Sequence, residues 1–377
     1  MSTAIAPAAT LRTAVEQAAR YAADGERARS LHPDVVTALT EAGFPALFVP
    51  AGRGGAAGRF ADALEMIASV GEACASAAWC AALQAAHGRL AAHLPEAGQA
   101  DLWRDGPDVS VSAAVVPPAG TLAPAPGGYR LSGRWNLASG VDHARWVLLA
   151  TLDPAGGAGC QRILAVPRED VRVDDNWNNS GLRATGSHSL TVDDVFVPEH
   201  RTMLRDILVT GRREDAGAAR CHRIPFPLVA SLLFAAPALG AARGALRSWT
   251  ELTLTRVGAD GRPALQDATA QQVLARSSAE IDAAQLLLER AAHRADDAPL
   301  DDLPVAANQR DAAVALDMLV GAVERLFRSA GARAQSDDCA LQRMWRDIHA
   351  VAGHAAVQIA PAAAAYASRL LARHEAD

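Results

Sequence analysis

The 377-residue sequence predicts an α+β protein built as an N-terminal helical domain (1–108), a central β domain (109–205) and a C-terminal four-helix bundle (206–377). Three observations predict it. Alanine-rich runs with few β-branched residues occupy both ends of the chain. A middle zone alternates short β-branched runs with Gly, Pro and Asp turns. Four long helical stretches, separated by short Gly- and Pro-containing loops, close the sequence.

The first helix is read over 11–23 from its apolar spacing, and Pro33 opens a second over 34–42 that stops at Gly43. Two alanine-rich packed helices follow at 61–80 and 81–94. Gly52, Gly54 and Ala57 match the spacing of a dinucleotide-binding loop, but helices rather than alternating strands follow them, so a tight loop between helices is the better account. Past Asp108 the reading changes. Strands are expected over 109–116, 129–137, 146–152, 162–166 and 189–197, in about ninety residues, too few for a sandwich of two large sheets. The final helices are placed at 228–255, 265–294, 306–330 and 341–372. The most apolar run, 226–242, is broken by Pro227 and Pro237 and falls short of a membrane span of about 20 residues. It reads as a buried helix preceded by a loop.

Composition narrows the chemistry. Half of the residues are hydrophobic and 21% are charged, which excludes intrinsic disorder. A formal charge of -6 offers no general nucleic-acid footprint. The sequence contains no lysine. Schiff-base chemistry and a phosphate-binding P-loop lysine are therefore excluded. Cys74, Cys80, Cys160, Cys221 and Cys339 form no CxxC pair, and no His/Cys spacing suggests a metal site. Free thiols, together with an N-terminus lacking the order of a secretory signal, point to a cytoplasmic protein without a membrane anchor. No GxSxG elbow is present. Ser187 and His188 are strand neighbours that face opposite ways, which disfavours a hydrolytic pair.

Three segments carry a more specific message: Trp135 to Gly140 in GRWNLASG, the loop Gly181 to Ser187 (GLRATGS), and Arg346, Asp347, Ala350 and His354 in an RDxxAxxxH pattern. Taken in this order they resemble the acyl-CoA dehydrogenase superfamily, and the resemblance covers nearly the whole chain. The dehydrogenases of that superfamily abstract a proton with a glutamate. Here Ala355 occupies the corresponding place, and no Glu lies between Glu324 and Glu375. The RDxxAxxxH pattern is similar instead to the two-component flavin-dependent monooxygenases.

That resemblance implies an oxygenase component that takes reduced FMN or FAD from a separate flavin reductase. It binds O2, forms a C4a-hydroperoxyflavin and hydroxylates an aromatic or polyketide-like small molecule. It also implies a homotetramer assembled through the bundle. Competing readings are an acyl-CoA dehydrogenase or oxidase, an N-oxygenase of an amine or amino sugar, and a flavin-free non-enzymatic relative.

By the same resemblance, His354 stabilises or protonates the flavin peroxide, an imidazole being able to exchange protons near neutrality; otherwise it is a satisfied histidine on a bundle helix. Ser139 hydrogen-bonds the flavin N5 edge, with Ala138 and Gly140 supplying backbone donors. Trp135 packs near the isoalloxazine or in the β-domain core. His87 faces a substrate hydroxyl as a base, or else is exposed or a cap. Gly331 permits close approach of the flavin phosphate and also serves as a helix C-cap. Arg183 lines the pocket or braces its turn. His349 and His374 are read as surface residues.

Overall fold

The computed structural model describes residues 8–258, 261–300 and 304–375. Residues 1–7, part of the segment read for a targeting signal, lie outside them.

Helix α1 (Ala8–Ala28) buries a single stripe of small residues, Ala14, Ala18 and Ala22, at helical spacing. Helix α2 (Pro33–Glu41) has proline in its first turn, where the missing N–H costs nothing, and His32 at its N-cap accepts from Asp34 N. The expected loop at 52–57 is a short 3-10 turn, Ala51–Arg53, followed by α3 (Phe60–Gly71). Helix α4 (Ala75–Ala91) is buried along its whole length, so its alanine-rich sequence reflects packing on every side. A short α5 (Glu96–Leu102) ends the first zone.

Among the described residues, eight short strands form two four-stranded sheets. One has the order β1 (Val111–Ala114), β4 (Trp146–Leu152), β5 (Gln161–Pro167), β8 (Thr202–Leu204). The other has the order β2 (Thr121–Ala125), β3 (Gly128–Ala138), β7 (His188–Pro198), β6 (Arg172–Asp174). Leu131, Trp135, Leu149, Leu164 and Leu190 come from both sheets and share one core. Strands of three to eleven residues allow two sheets in so short a segment.

Helices α6 (Asp206–Thr210) and α7 (Arg220–Arg223) lead into α8 (Ala230–Leu254), α9 (Ala268–Asp297) and α10 (Val305–Ser329). The segment Phe226–Leu254, which contains α8, is long and apolar enough to cross a membrane, yet 83% of its most apolar stretch is buried inside the protein. Helix α8 is a core helix. It crosses α3 with glycine against glycine: a Cβ on Gly240 would lie 2.1 Å from Ala68 O, and one on Gly71 would lie 2.9 Å from Pro237 O. Only a missing side chain on both helices permits this approach. Asp311, 1% exposed, receives Arg290, Arg294 and Arg310 and thereby pins α9 to α10.

The fourth expected stretch is not one helix. It is α11 (Ala340–Ala352) and α12 (Ile359–His374), separated by a 3-10 turn at Ala355–Val357. Pro361 lies in the first turn of α12. A continuous helix would set its ring against the Val357 carbonyl and leave that carbonyl without a donor. His354 occupies the break.

Candidate active site

The site is assembled where the end of β3 meets α4 and the break after α11. Strand β3 loses its regular register between Trp135 and Ala138, and Leu137 takes a left-handed backbone with φ 63°. This irregularity turns the Ser139–Gly140 step out of the sheet. Ser112 Oγ donates to Ser139 O at 2.9 Å, and Gly140 N donates to Thr185 O at 2.7 Å, which fixes the turn from two sides.

A chain of hydroxyls runs through the site, and its direction is set at its ends. Trp79 Nε1 donates to Ser139 Oγ at 3.1 Å, because an indole N–H only donates. At the far end Thr185 Oγ1 donates to the Leu182 carbonyl at 2.8 Å, which only accepts. Ser187 must therefore donate to Thr185 (2.7 Å), and Ser139 must donate to Ser187 (2.6 Å). The Ser139 proton is committed, and its oxygen keeps one lone pair free for an incoming N–H.

The GLRATGS loop and the RDxxAxxxH helix prove to be halves of one joint. Leu182 N donates to the Asp347 carboxylate at 2.6 Å, and Arg346 Nη1 donates to Ser180 O at 2.7 Å. A Cβ on Gly181 would lie 2.2 Å from Arg346 O and 3.0 Å from the Ala350 methyl, so glycine and alanine are both needed for contact. Burial pushes the Asp347 carboxyl up to about 6, against the Leu182 amide that holds it down. Of the pattern's four residues, three therefore fasten the loop and only His354 reaches the site.

His354 is the N-cap of the 3-10 turn, its Nδ1 accepting from Ala356 N at 3.2 Å. Its proton in the neutral form is thus on Nε2. Burial lowers its pKa, so the neutral form prevails at pH 7. Its ring stacks on Phe234 of α8 at 3.9 Å and meets Trp79 edge-on at 5.5 Å. Trp79 consequently touches both Ser139 and His354, two residues far apart in the chain.

His87 is buried on α4 and donates through Nδ1 to Val111 O at 2.8 Å, which leaves its Nε2 as a lone-pair acceptor. Burial lowers its pKa to about 4. It is neither exposed nor a cap. Between α4 and α8 lies a small, partly open apolar cavity of about 10 Å³, walled by Ala82, Leu83 and Ala86 on one side and by Phe226, Leu233 and Phe234 on the other. A wider groove of about 690 Å³ beside Leu265, Leu274 and Asp282 is an open trough along α9 and holds none of the candidate residues.

Other expected residues fall elsewhere. Trp135 is 1% exposed in the core between the two sheets, and its indole donates to Ala150 O at 2.8 Å. With its ring enclosed it has no face for a cofactor, which corrects the isoalloxazine reading in favour of the core. Arg183 is half-buried and donates to Asn179 O at 3.1 Å, bracing its own turn. Gly331, with φ 79°, follows α10, where Arg256 donates to the Ser329 and Ala330 carbonyls. Ser187 and His188 bond in different directions, His188 Nδ1 accepting from the Asn176 and Trp177 amides. Sequence reasoning missed Trp79, Phe234, Thr185 and Leu137. A lone tryptophan in an alanine-rich helix was the one available signal, since a buried indole N–H needs an acceptor.

Leu137 is 64% exposed, an apolar face beside the Ser139 oxygen. A planar ring system with an N–H edge, as in reduced flavin, needs such a pairing, and these residues fit it.

Residues 232–359 match the family described as acyl-CoA dehydrogenase, C-terminal domain. The chain is 33% identical to the flavin-dependent monooxygenase, oxygenase subunit HsaA, of Rhodococcus jostii over 89% of this chain and 90% of the relative. It is 32% identical to the FADH2-dependent resorcinol hydroxylase, oxygenase component, of a Rhizobium species, over 87% and 85%. Among solved structures, 3-HSA hydroxylase from Rhodococcus sp. RHA1 superposes with a TM-score of 0.89 at 29% identity, covering 99% of this chain and 98% of that one. XiaF from Streptomyces, in complex with FADH2 and glycerol, gives 0.90 at 28% identity over 97% and 94%. The acyl-CoA dehydrogenase-like fold and the aromatic-hydroxylating relatives agree with the geometry: this chain belongs to the oxygenase components of the two-component flavin-dependent monooxygenases.

Proposed function

We propose that the chain hydroxylates a phenol or polyketide-like aromatic held between α4 and α8, using reduced flavin delivered by a separate reductase. The bound flavin supplies the activation of dioxygen and the oxygen atom that is transferred. Two relatives are described with FADH2, one as a dependence and one as a complex, which supports reduced FAD over FMN.

The observation that carries the reading is a pair of buried histidines of opposite polarity next to the walls of an apolar cavity: His354 stacks on the wall residue Phe234, and His87 follows the wall residue Ala86 on α4. His354 offers an Nε2–H donor, suited to hold or supply a proton on the oxygen side. His87 offers an Nε2 acceptor, suited to a substrate hydroxyl. With a pKa of about 4, His87 is too weak a base to deprotonate a phenol of pKa about 10 outright. It orients the hydroxyl by accepting its hydrogen bond. Ser139, its own proton committed to Ser187, accepts from the N5–H of reduced flavin, and Leu137 packs against the ring. Gly331 and the adjacent Arg256 guanidinium form a small cationic ledge matched to the flavin phosphate.

The dehydrogenase alternative lacks its base here. Ala355 stands in the 3-10 turn, and Asp347 is engaged with Leu182 N. The apolar cavity wall likewise offers no carboxylate to an amine substrate.

The open face of α12 and α9, with Ile359, Leu370, Leu371 and Leu286 exposed, supports a homotetramer formed through the bundle. A cytoplasmic enzyme is part of the same proposal.

The test is anaerobic binding of reduced FAD and FMN followed by mixing with oxygen. A long-lived near-ultraviolet band that precedes oxidised flavin, with a hydroxylated product when a phenol is present, is expected. Immediate reoxidation, together with bleaching of oxidised flavin by an acyl-CoA, would overturn the proposal.

A further inference from the structure

Behind the cavity lies a charge that the proposed reaction does not use. Arg89 follows Ala86 by one helical turn of α4 and is 0% exposed. Its Nε donates to Cys221 O at 2.6 Å and its Nη2 to Ile224 O at 2.5 Å, while Nη1 has no hydrogen-bond partner. Among the described residues no carboxylate pairs with it. Its surroundings are basic instead. His93, 3% exposed, has neither ring nitrogen partnered, and its ring meets that of His222 edge-on at 6.3 Å. His222 Nε2 donates to Phe48 O at 2.7 Å, and Arg212 donates to Ala92 O close by.

Such an arrangement is costly as it stands. A guanidinium withdrawn from water needs either a counter-charge or a full set of acceptors. Burial lowers the Arg89 pKa to about 10, which leaves it charged at neutral pH. Burial, with Arg89 and Arg212 nearby, pushes His93 down to about 2 and so keeps it neutral, with one N–H to give. The free donors of Arg89 and His93 therefore suit an anion.

Only one ring separates this charge from the cavity. The Arg89 guanidinium carbon lies 6.0 Å from the centre of the Phe226 ring, and Phe226 also walls the cavity beside Ala86 and Ala230. Phe226 is half-buried on the 3-10 turn Phe226–Leu228, whereas Phe60, whose ring centre lies 5.9 Å from the Arg89 guanidinium carbon, is wholly buried. The movable partner is Phe226. At about 10 Å³ the cavity has room for about one water, far below the roughly 300–1,000 Å³ of most ligand sites, so an aromatic ligand needs its walls to part, Phe226 among them.

We propose that Phe226 is a door between the apolar cavity and Arg89, and that the free Nη1 of Arg89, aided by His93, receives a carboxylate carried by the aromatic substrate. The inference rests on the oxygenase reading for the position of the ring. The preference for a carboxylate is a separate claim. It assigns the substrate class: a phenol or related aromatic whose side chain ends in an acid, the ring lying against Phe234 and the acid passing Phe226. In a water-poor interior the guanidinium–carboxylate pair is strong, and the ring itself needs no charged contact.

The probes are 4-hydroxyphenylacetate and its neutral isostere 4-hydroxyphenylacetamide. Each is titrated calorimetrically under nitrogen into the full chain loaded with reduced flavin. The acid is expected to bind at least about tenfold more tightly than the amide. Arg89→Met is expected to erase that difference. Because Arg89 also holds Cys221 and Ile224, the wild-type comparison stands by itself if the variant does not fold. Equal binding of acid and amide, tighter binding of the amide, or no binding of either overturns the inference. So does an acid preference that survives in folded Arg89→Met. Hydroxylation of neutral phenols without an acid preference refutes this inference and leaves the oxygenase reading intact. Tight acid binding without any oxygenated product does the reverse.

Discussion

Acidification from pH 7.5 to 5 should destabilise this protein through its buried histidines. Burial holds His87 and His222 at about 4 and His93 at about 2, against an ordinary 6.5. A histidine whose folded pKa is depressed gives stability that is complete above 6.5 and is lost as the pH falls toward the folded value, because only the unfolded chain takes up the proton. At pH 5 each of the three is about 1.5 units below 6.5, a loss of about 2 kcal/mol apiece, or about 6 kcal/mol together. Asp347 acts the other way. Its folded pKa of about 6 lies above the ordinary 3.8, so the folded state gains a proton first, and this returns about 1.4 kcal/mol at pH 5. The net loss, about 4–5 kcal/mol, is a large part of a typical stability of about 5–15 kcal/mol. Urea midpoints followed by circular dichroism at pH 7.5, 6.5, 5.5 and 5.0 measure it directly. His93→Leu with His222→Phe should remove most of the pH slope. A midpoint constant across this range, or a double variant with the wild-type slope, would refute the reasoning.

Three further outcomes follow from individual contacts. Asp311→Ala leaves Arg290, Arg294 and Arg310 without their shared acceptor, and a loss of about 3–5 kcal/mol is expected in denaturant unfolding. Gly181→Ala drives a methyl into Arg346 O. It should cost about 1–3 kcal/mol and loosen the Ser139 cluster, read as weaker binding of reduced flavin in anaerobic titration. Trp79→Phe keeps the ring contact with Phe234 but removes the N–H donated to Ser139. Its stability should fall by only about 1 kcal/mol, while Ser139 still donates to Ser187 but its oxygen loses the indole donor and flavin affinity changes. Unchanged affinity in Trp79→Phe argues against the Ser139 oxygen as the acceptor of the flavin N–H.

The order of helical, β and helical zones was legible because it is written in composition, with β-branched turn-rich sequence between two alanine-rich ends. Ser139, His354 and His87 were legible as a resemblance, and Trp79 joins the first two, while His87 bonds Val111 O. Their polarity was not legible, since a tautomer depends on which backbone group the other ring nitrogen meets. Trp135 illustrates a local ambiguity: one residue of register on a strand decides between core and surface, and the sequence does not say where β3 slips. The break before α12 was foreshadowed by Gly353 and Pro361, but alanine on either side concealed it. Arg89, His93 and His222 looked unrelated, being spread over about 130 residues, until the fold brought them into one buried cluster.

The joint between Leu182 and Asp347 has a bearing on how such a chain can be recombined. The amide and the carboxylate lie on opposite sides of nearly the whole C-terminal bundle in sequence, yet each is the other's buried partner. A crossover with a divergent homologue anywhere between them would inherit one half of the contact from each parent. Functional chimeras should therefore tolerate junctions before the GLRATGS loop or after His354. Junctions inside that interval should succeed only when both parents keep the glycine, the aspartate and the small residue at 350.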